Sequence, residues 1–95
     1  MRKYEIMFIV RPTLDEASIK KVADDVKKLL EDNKANVLDV KEMGQRDLAY
    51  EVAKHKKGYY FLFTVEAPVA AINEYNRVAN VSEDIIRSLV VKVEE

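Results

Sequence analysis

Side-chain catalysis needs a nucleophile beside a base, a cluster of metal ligands, or a loop that cradles phosphate. The 95 residues present none of these arrangements. His55 is the only histidine and falls in the run Lys54-His55-Lys56-Lys57, with no second ligand near it in sequence; a solvated loop residue is the expectation. The absence of cysteine removes thiol nucleophiles, thiolate metal ligands and disulfides together, and fits a reducing compartment. Gly44 and Gly58 are the only glycines, so neither a phosphate-binding loop nor a dinucleotide fingerprint can be written. The acidic pairs Asp15-Glu16, Asp24-Asp25 and Glu31-Asp32 alternate with Lys20-Lys21 and Lys27-Lys28, the spacing of a solvated, ion-pairing helix face rather than of an acid and a base. No metal or cofactor site is expected.

Two features remain, and both belong to a binding protein. Cations recur at Arg2, Lys3, Arg46, Arg87 and Lys92, and a sheet could gather them on one basic edge. The whole chain is slightly acidic, 16 Lys plus Arg against 17 Asp plus Glu, but local field rather than net charge governs contact with phosphate. The second feature is apolar content on both sides of the strands. If Tyr4, Ile6, Phe8, Phe61, Phe63 and Val65 face a core, then Met7, Ile9, Leu62, Leu89 and Val91 face the other way and call for a cover, either a protein partner or a second copy. Tyrosines could stack on unpaired bases, yet nothing matches the RNP1 pattern of sheet-based RNA readers.

The elements that position these residues follow from periodicity. Arg2 to Val10 alternates with period two and reads as a strand, closed by Arg11-Pro12. From Asp15 to about Asn33, Ile19, Val22, Val26, Leu29 and Leu30 recur at spacings of three and four, with Thr13 or Asp15 as N-cap, which predicts a helix. Val37 to Val52 reads as a long strand interrupted by a bulge at Gly44, followed by a basic turn over Lys54 to Gly58. Tyr59 to Val65 is nearly continuous in aromatic and β-branched residues and should be the central strand. Pro68 opens a short second helix through Ile72, Tyr75, Val78 and Ala79, and Ile85 to Val93 supplies the last strand.

The order strand, helix, strand, strand, helix, strand is the ferredoxin-like split β-α-β plan of the α+β class, a four-stranded antiparallel sheet with two helices on one face. Residues 1–95 are long enough for one such domain and too short for two. Glu5 precedes any apolar stretch, and Ile6 to Val10 is far too short for a signal core or a membrane span, so a cytoplasmic location is expected.

The segments Met1-Arg2-Lys3-Tyr4-Glu5, Gly44 to Val52 (GQRDLAYEV), Lys57-Gly58-Tyr59-Tyr60 and Ile85 to Lys92 (IIRSLVVK), taken in order and at this spacing, resemble the bacterial ribosomal protein six family of the small subunit. The resemblance spans essentially the whole chain. It implies a non-enzymatic protein that binds 16S ribosomal RNA in the central domain as a heterodimer with ribosomal protein eighteen, without cofactor or small-molecule substrate. It also makes Arg2, Lys3, Arg46, Arg87 and Lys92 the RNA-facing candidates. The partner surface would draw on the open sheet, Met7, Ile9, Leu62, Leu89 and Val91, and on Leu48 and Tyr50. Two positions depart from the family pattern: Asp47, where a second basic residue is common, and Glu51, where proline often follows the tyrosine. Phosphate contact at position 47 is therefore not expected.

Two other readings share the fold. A regulatory domain that dimerises through its sheet and binds a small metabolite would be a homodimer in solution. An acylphosphatase-like enzyme would need backbone N–H groups converging after the first strand, where Arg11-Pro12-Thr13-Leu14 has an arginine but no glycine.

Overall fold

A computed structural model of the chain describes residues 2–52 and 54–93. In chain order the elements are β1 (Arg2–Val10), α1 (Glu16–Asp32), β2 (Asn36–Val52), β3 (His55–Ala67), α2 (Val69–Val81) and β4 (Ile85–Lys92). The strands form one antiparallel sheet in the order β2-β3-β1-β4. Each helix thus returns the chain to a strand parallel to the one it left, with an antiparallel strand between them.

Strand alternation decides which side becomes the core. Tyr4, Ile6, Phe8 and Val10 on β1 are buried together with Phe61, Phe63 and Val65 on β3. Register places Phe8 opposite Phe61 and Ile6 opposite Phe63. The Phe8 ring stacks on Phe61 with centroids 5.2 Å apart and meets Phe63 edge-on at 5.3 Å, the two arrangements that aromatic quadrupoles favour. Ile19, Ala23, Val26 and Leu30 from α1, and Ala71, Ile72, Tyr75 and Ala79 from α2, close this core.

Local chemistry fixes the ends of α1. Asp15 is the N-cap: its carboxylate accepts a hydrogen bond from the Ser18 backbone N–H at 3.2 Å, and hydrogen bonding from the Ser18 side chain first, then from that N–H, holds the Asp15 pKa below its ordinary value. At the other end the Lys34 N–H donates to the Glu31 carbonyl at 3.1 Å and the Ala35 N–H to the Leu30 carbonyl at 2.9 Å, a Schellman closure. Lys34 takes the left-handed position with φ 71°, where glycine is the usual occupant. Pro68 occupies the N-cap position of α2, and the Tyr75 hydroxyl shares a 2.6 Å hydrogen bond with the Ser88 hydroxyl, tying α2 to β4. Arg11 reaches from the end of β1 to Asp84, with Nε and Nη2 both 2.9 Å from one carboxylate oxygen.

The β2–β3 connection differs from the expected basic turn over Lys54 to Gly58. β2 continues to Val52 and β3 already begins at His55, which pairs with Val52, so only residues 53 and 54 separate the strands. Lys54 has φ 66°, the backbone sense that two-residue hairpin loops demand. The run of lysines therefore lies on a tight hairpin tip. The bulge at Gly44 is present: register shifts between Glu42 and Gly44, and Gly44 has φ 86°. A second and larger irregularity falls between Asp47↔Lys57 and Val52↔His55, where Leu48 to Glu51 on β2 face only Lys56 on β3. The sequence pattern over Val37 to Val52 marks only the break at Gly44 and gives no sign of this second one.

Candidate nucleic-acid and protein interface

On the sheet face away from the helices, pairing aligns the outward side chains in rows. Leu62, Met7 and Leu89 form one row, Thr64, Glu5 and Val91 a second, and Tyr60, Ile9 and Arg87 a third. Leu89 and Val91 are 52% and 48% exposed, and Met7 and Leu62 are half-buried, so the expected apolar face exists and no helix covers it.

Ile9 is the exception, only 2% exposed although it points away from the helices. The cover comes from the hairpin. A Cβ placed on Gly58 would lie 2.2 Å from Ile9 Cγ2 and 3.6 Å from a Leu48 methyl, so the missing side chain of Gly58 is what admits Ile9. The irregular stretch Leu48–Glu51 then arches over the same end of the face. The Arg87 guanidinium donates a hydrogen bond to the Tyr50 hydroxyl and lies 5.4 Å from the centre of the Tyr50 ring, a cation–π placement. Met7, Ile9, Leu48, Tyr50, Tyr60 and Arg87 line a shallow hollow of about 200 Å³ beneath the arch. Ile9 and Leu48 thus cover each other inside the chain, while Met7, Leu62, Leu89 and Val91 remain presented outward. Tyr50 stays 60% exposed.

The five candidate cations do not share one edge. The Val93 N–H donates to the Lys3 carbonyl at 2.9 Å, bringing the end of β4 against the start of β1, so Arg2, Lys3 and Lys92 collect at one end of the sheet. By register Arg2 pairs with Ala67 and Lys92 with Tyr4, which places both on the helix side of the pleat, whereas Lys3 is on the open side opposite Glu66. Arg87 pairs with Ile9 and Arg46 with Gly58, toward the hairpin. Arg87 and Lys92 are five steps apart along β4, roughly 16 Å at about 3.3 Å per residue. Arg46 is exposed, its Nε 3.4 Å from the Met43 carbonyl. Asp47 pairs loosely with Lys57 at 3.9 Å and carries the wrong sign for phosphate.

His55 lies in β3, half-buried, and no group of three potential metal ligands occurs among the described residues. Among the described residues no helix is long and apolar enough to cross a membrane. Gly58 is the contributor to the site that residue types do not announce, because it acts by having no side chain.

The model of the family described as Ribosomal protein S6 matches residues 3–92. The chain belongs to the ribosomal protein S6 family. The small ribosomal subunit protein bS6 of Acholeplasma laidlawii is 47% identical over 92 residues, 97% of each chain. That of Shouchella clausii is 45% identical over 95 residues, covering both chains completely. Among solved structures, the crystal structure of 30S ribosomal protein S6 from Thermotoga maritima superposes with a TM-score of 0.93 at 30% identity, over 97% of this chain and 87% of the other. The ferredoxin-like architecture of the S6 family is therefore the architecture of this chain, and its membership makes it a non-enzymatic structural protein of the small ribosomal subunit. The P2 domain of the chemotaxis kinase CheA, from Thermotoga maritima, also superposes, with a TM-score of 0.61 at 18% identity over 97% of this chain and 98% of that one. It shares the fold alone, so the site rather than the fold separates the two roles.

Proposed function

We propose that this S6-family chain works as one folded unit that binds 16S ribosomal RNA in the central domain of the small subunit, in the bacterial cytoplasm, as a heterodimer with ribosomal protein eighteen. The observation that carries the reading is the uncovered apolar patch of the sheet, Met7, Leu62, Leu89 and Val91, lying beside the cation Arg87. A protein seated on that patch would bury apolar area and bring its own cations next to Arg87, which couples protein association to RNA affinity. Tyr50 and Leu48 form the rim of the partner surface, and Ile9 supports it from beneath. Arg2, Lys3, Arg46, Arg87 and Lys92 supply the phosphate contacts of this chain. A metabolite-binding regulatory domain is not favoured: the hollow beside Arg87 is small and shallow, and the family has a structural role.

A chain of net charge −1 should bind RNA weakly alone and tightly with a basic partner. The test is titration of a 16S central-domain fragment across a salt series, with and without ribosomal protein eighteen. Tight binding by this chain alone, unchanged on adding the partner, would overturn the shared footprint. Replacing Arg87 by Glu should weaken assembly strongly while costing the free domain only about 1 kcal/mol, the loss of its exposed contact with Tyr50. Wild-type assembly by that variant would remove Arg87 from the interface.

A further inference from the structure

The hairpin tip is the most strongly basic segment outside the residues considered so far. From position 46 to 58 there are four cations, Arg46, Lys54, Lys56 and Lys57, against two anions, Asp47 and Glu51, in a chain that is acidic overall. Lys54 and Lys56 are exposed, and among the described residues neither has an ion-pair partner; the pairs formed there involve Arg11, Lys20, Lys57 and Arg77. Lys54 also holds φ 66° at the turn, where glycine or asparagine would sit with less strain. The Arg87–Tyr50 contact and the packing of Leu48 and Ile9 at Gly58 tie the base of the hairpin to the sheet. Its lysines are thus held on the same end of the molecule as Arg87 and Arg46. The other cation group, Arg2, Lys3 and Lys92, occupies the opposite end of strands that run along a body 36 Å in its longest dimension.

We infer that the chain holds two separate segments of RNA backbone, one at each end of its sheet, and that Lys54 and Lys56 on the hairpin tip, with Arg87 and Arg46, grip the second of them. The ligand at the tip is the phosphate backbone of RNA. An ammonium on a flexible stem is a strongly hydrated point charge suited to phosphate oxygens rather than to reading base edges. One rigid sheet gripping at both ends fixes the distance between two backbone segments, which is what a structural protein of a folded RNA has to do. The inference rests on the RNA-binding reading above and adds to it the number and place of the grips.

The test is backbone protection from hydroxyl radicals on a 16S central-domain fragment assembled with ribosomal protein eighteen, comparing the full chain with two double variants, Lys54→Gln/Lys56→Gln and Arg2→Gln/Lys92→Gln. All four side chains are exposed, so thermal melting should match the wild type and report that each variant is folded. The wild type should protect two backbone segments, each double variant losing one and keeping the other. The tip variant should also lower the log–log salt slope by about 1.5, two contacts at roughly 0.7 to 0.9 each. A wild-type footprint and slope that the tip variant leaves intact would overturn this inference alone, as would both variants losing the same protections. A wild type that protects nothing would overturn the RNA-binding reading with it.

Discussion

The two faces of the sheet are built from the same alternating strands and end in opposite states. On the helix side Phe8, Phe61, Phe63, Ile6 and Val65 are sealed by two helices that follow their strands in the chain, so the cover is supplied locally by the topology. On the other side the chain supplies only a corner of cover, the bent hairpin over Ile9, and leaves Met7, Leu62, Leu89 and Val91 to be covered from outside. Apolarity by itself therefore does not mark a core; what marks it is whether the chain can bring a second layer to that side.

Deleting a side chain on each face gives the largest expected contrast. Phe61→Ala should destabilise the free domain by about 3–5 kcal/mol, the range for emptying an aromatic site in a sealed core, whereas Leu62→Ala, one residue along, should cost about 1 kcal/mol or less. Denaturation midpoints that fall in the reverse order would break the assignment of faces, and the partner surface with it.

The covered corner of the open face should respond to overpacking instead. Gly58→Ala puts a methyl group 2.2 Å from Ile9 Cγ2 and should cost about 1–3 kcal/mol as the hairpin lifts. Ile9→Ala removes that Cγ2, so the double variant should be less destabilised than the sum of the two singles. Strict additivity in urea unfolding would show that Gly58 is not where the hairpin rests on the sheet.

The smallest effect sharpens the helix face through pH. Burial holds the Tyr75 phenol neutral and pushes its pKa up from the ordinary 10.0 to about 12, only partly opposed by the Ser88 hydrogen bond. A pKa raised in the folded state contributes stability that is present below pH 10 and lost as pH rises through 12. Tyr75→Phe should cost about 1 kcal/mol at neutral pH, since it leaves the Ser88 hydroxyl without its partner. It should also flatten the fall in melting temperature between pH 10 and 12. An unchanged alkaline slope would place the titration elsewhere. Tyr59, also pushed up to about 12, there through its hydrogen bond to the Glu42 carboxylate, is the group to replace next.

Much of this architecture can be read from residue spacing. The alternation of β1, the three-and-four spacing of α1, the aromatic run of β3 and the break at Gly44 each report a local conformation, and each element is present where its pattern lies. What spacing does not report is register between distant strands. The five cations look like one basic edge in the sequence, but β1 and β4 run antiparallel, so Arg2 and Lys92 meet at one end and Arg87 falls at the other. The burial of Ile9 depends on a glycine far along the chain, and the arch of Leu48 to Glu51 has the same alternation as the strand it interrupts. The lysine run at positions 54, 56 and 57 reads as a turn because charge dominates its composition, while the hairpin reverses in the residues just before His55.

The position of β4 has a consequence for how the protein is made. β1 is an inner strand, flanked by β3 and β4, and β4 comes after the other five described elements in chain order. Until residues 85–92 emerge, β1 carries one bare edge of backbone donors and acceptors. The nascent chain can pair β1 with β3 and seat α1 early, yet it remains an open three-stranded sheet able to pair with any extended strand it meets. Pairing of β4 is thus what closes the second edge of β1.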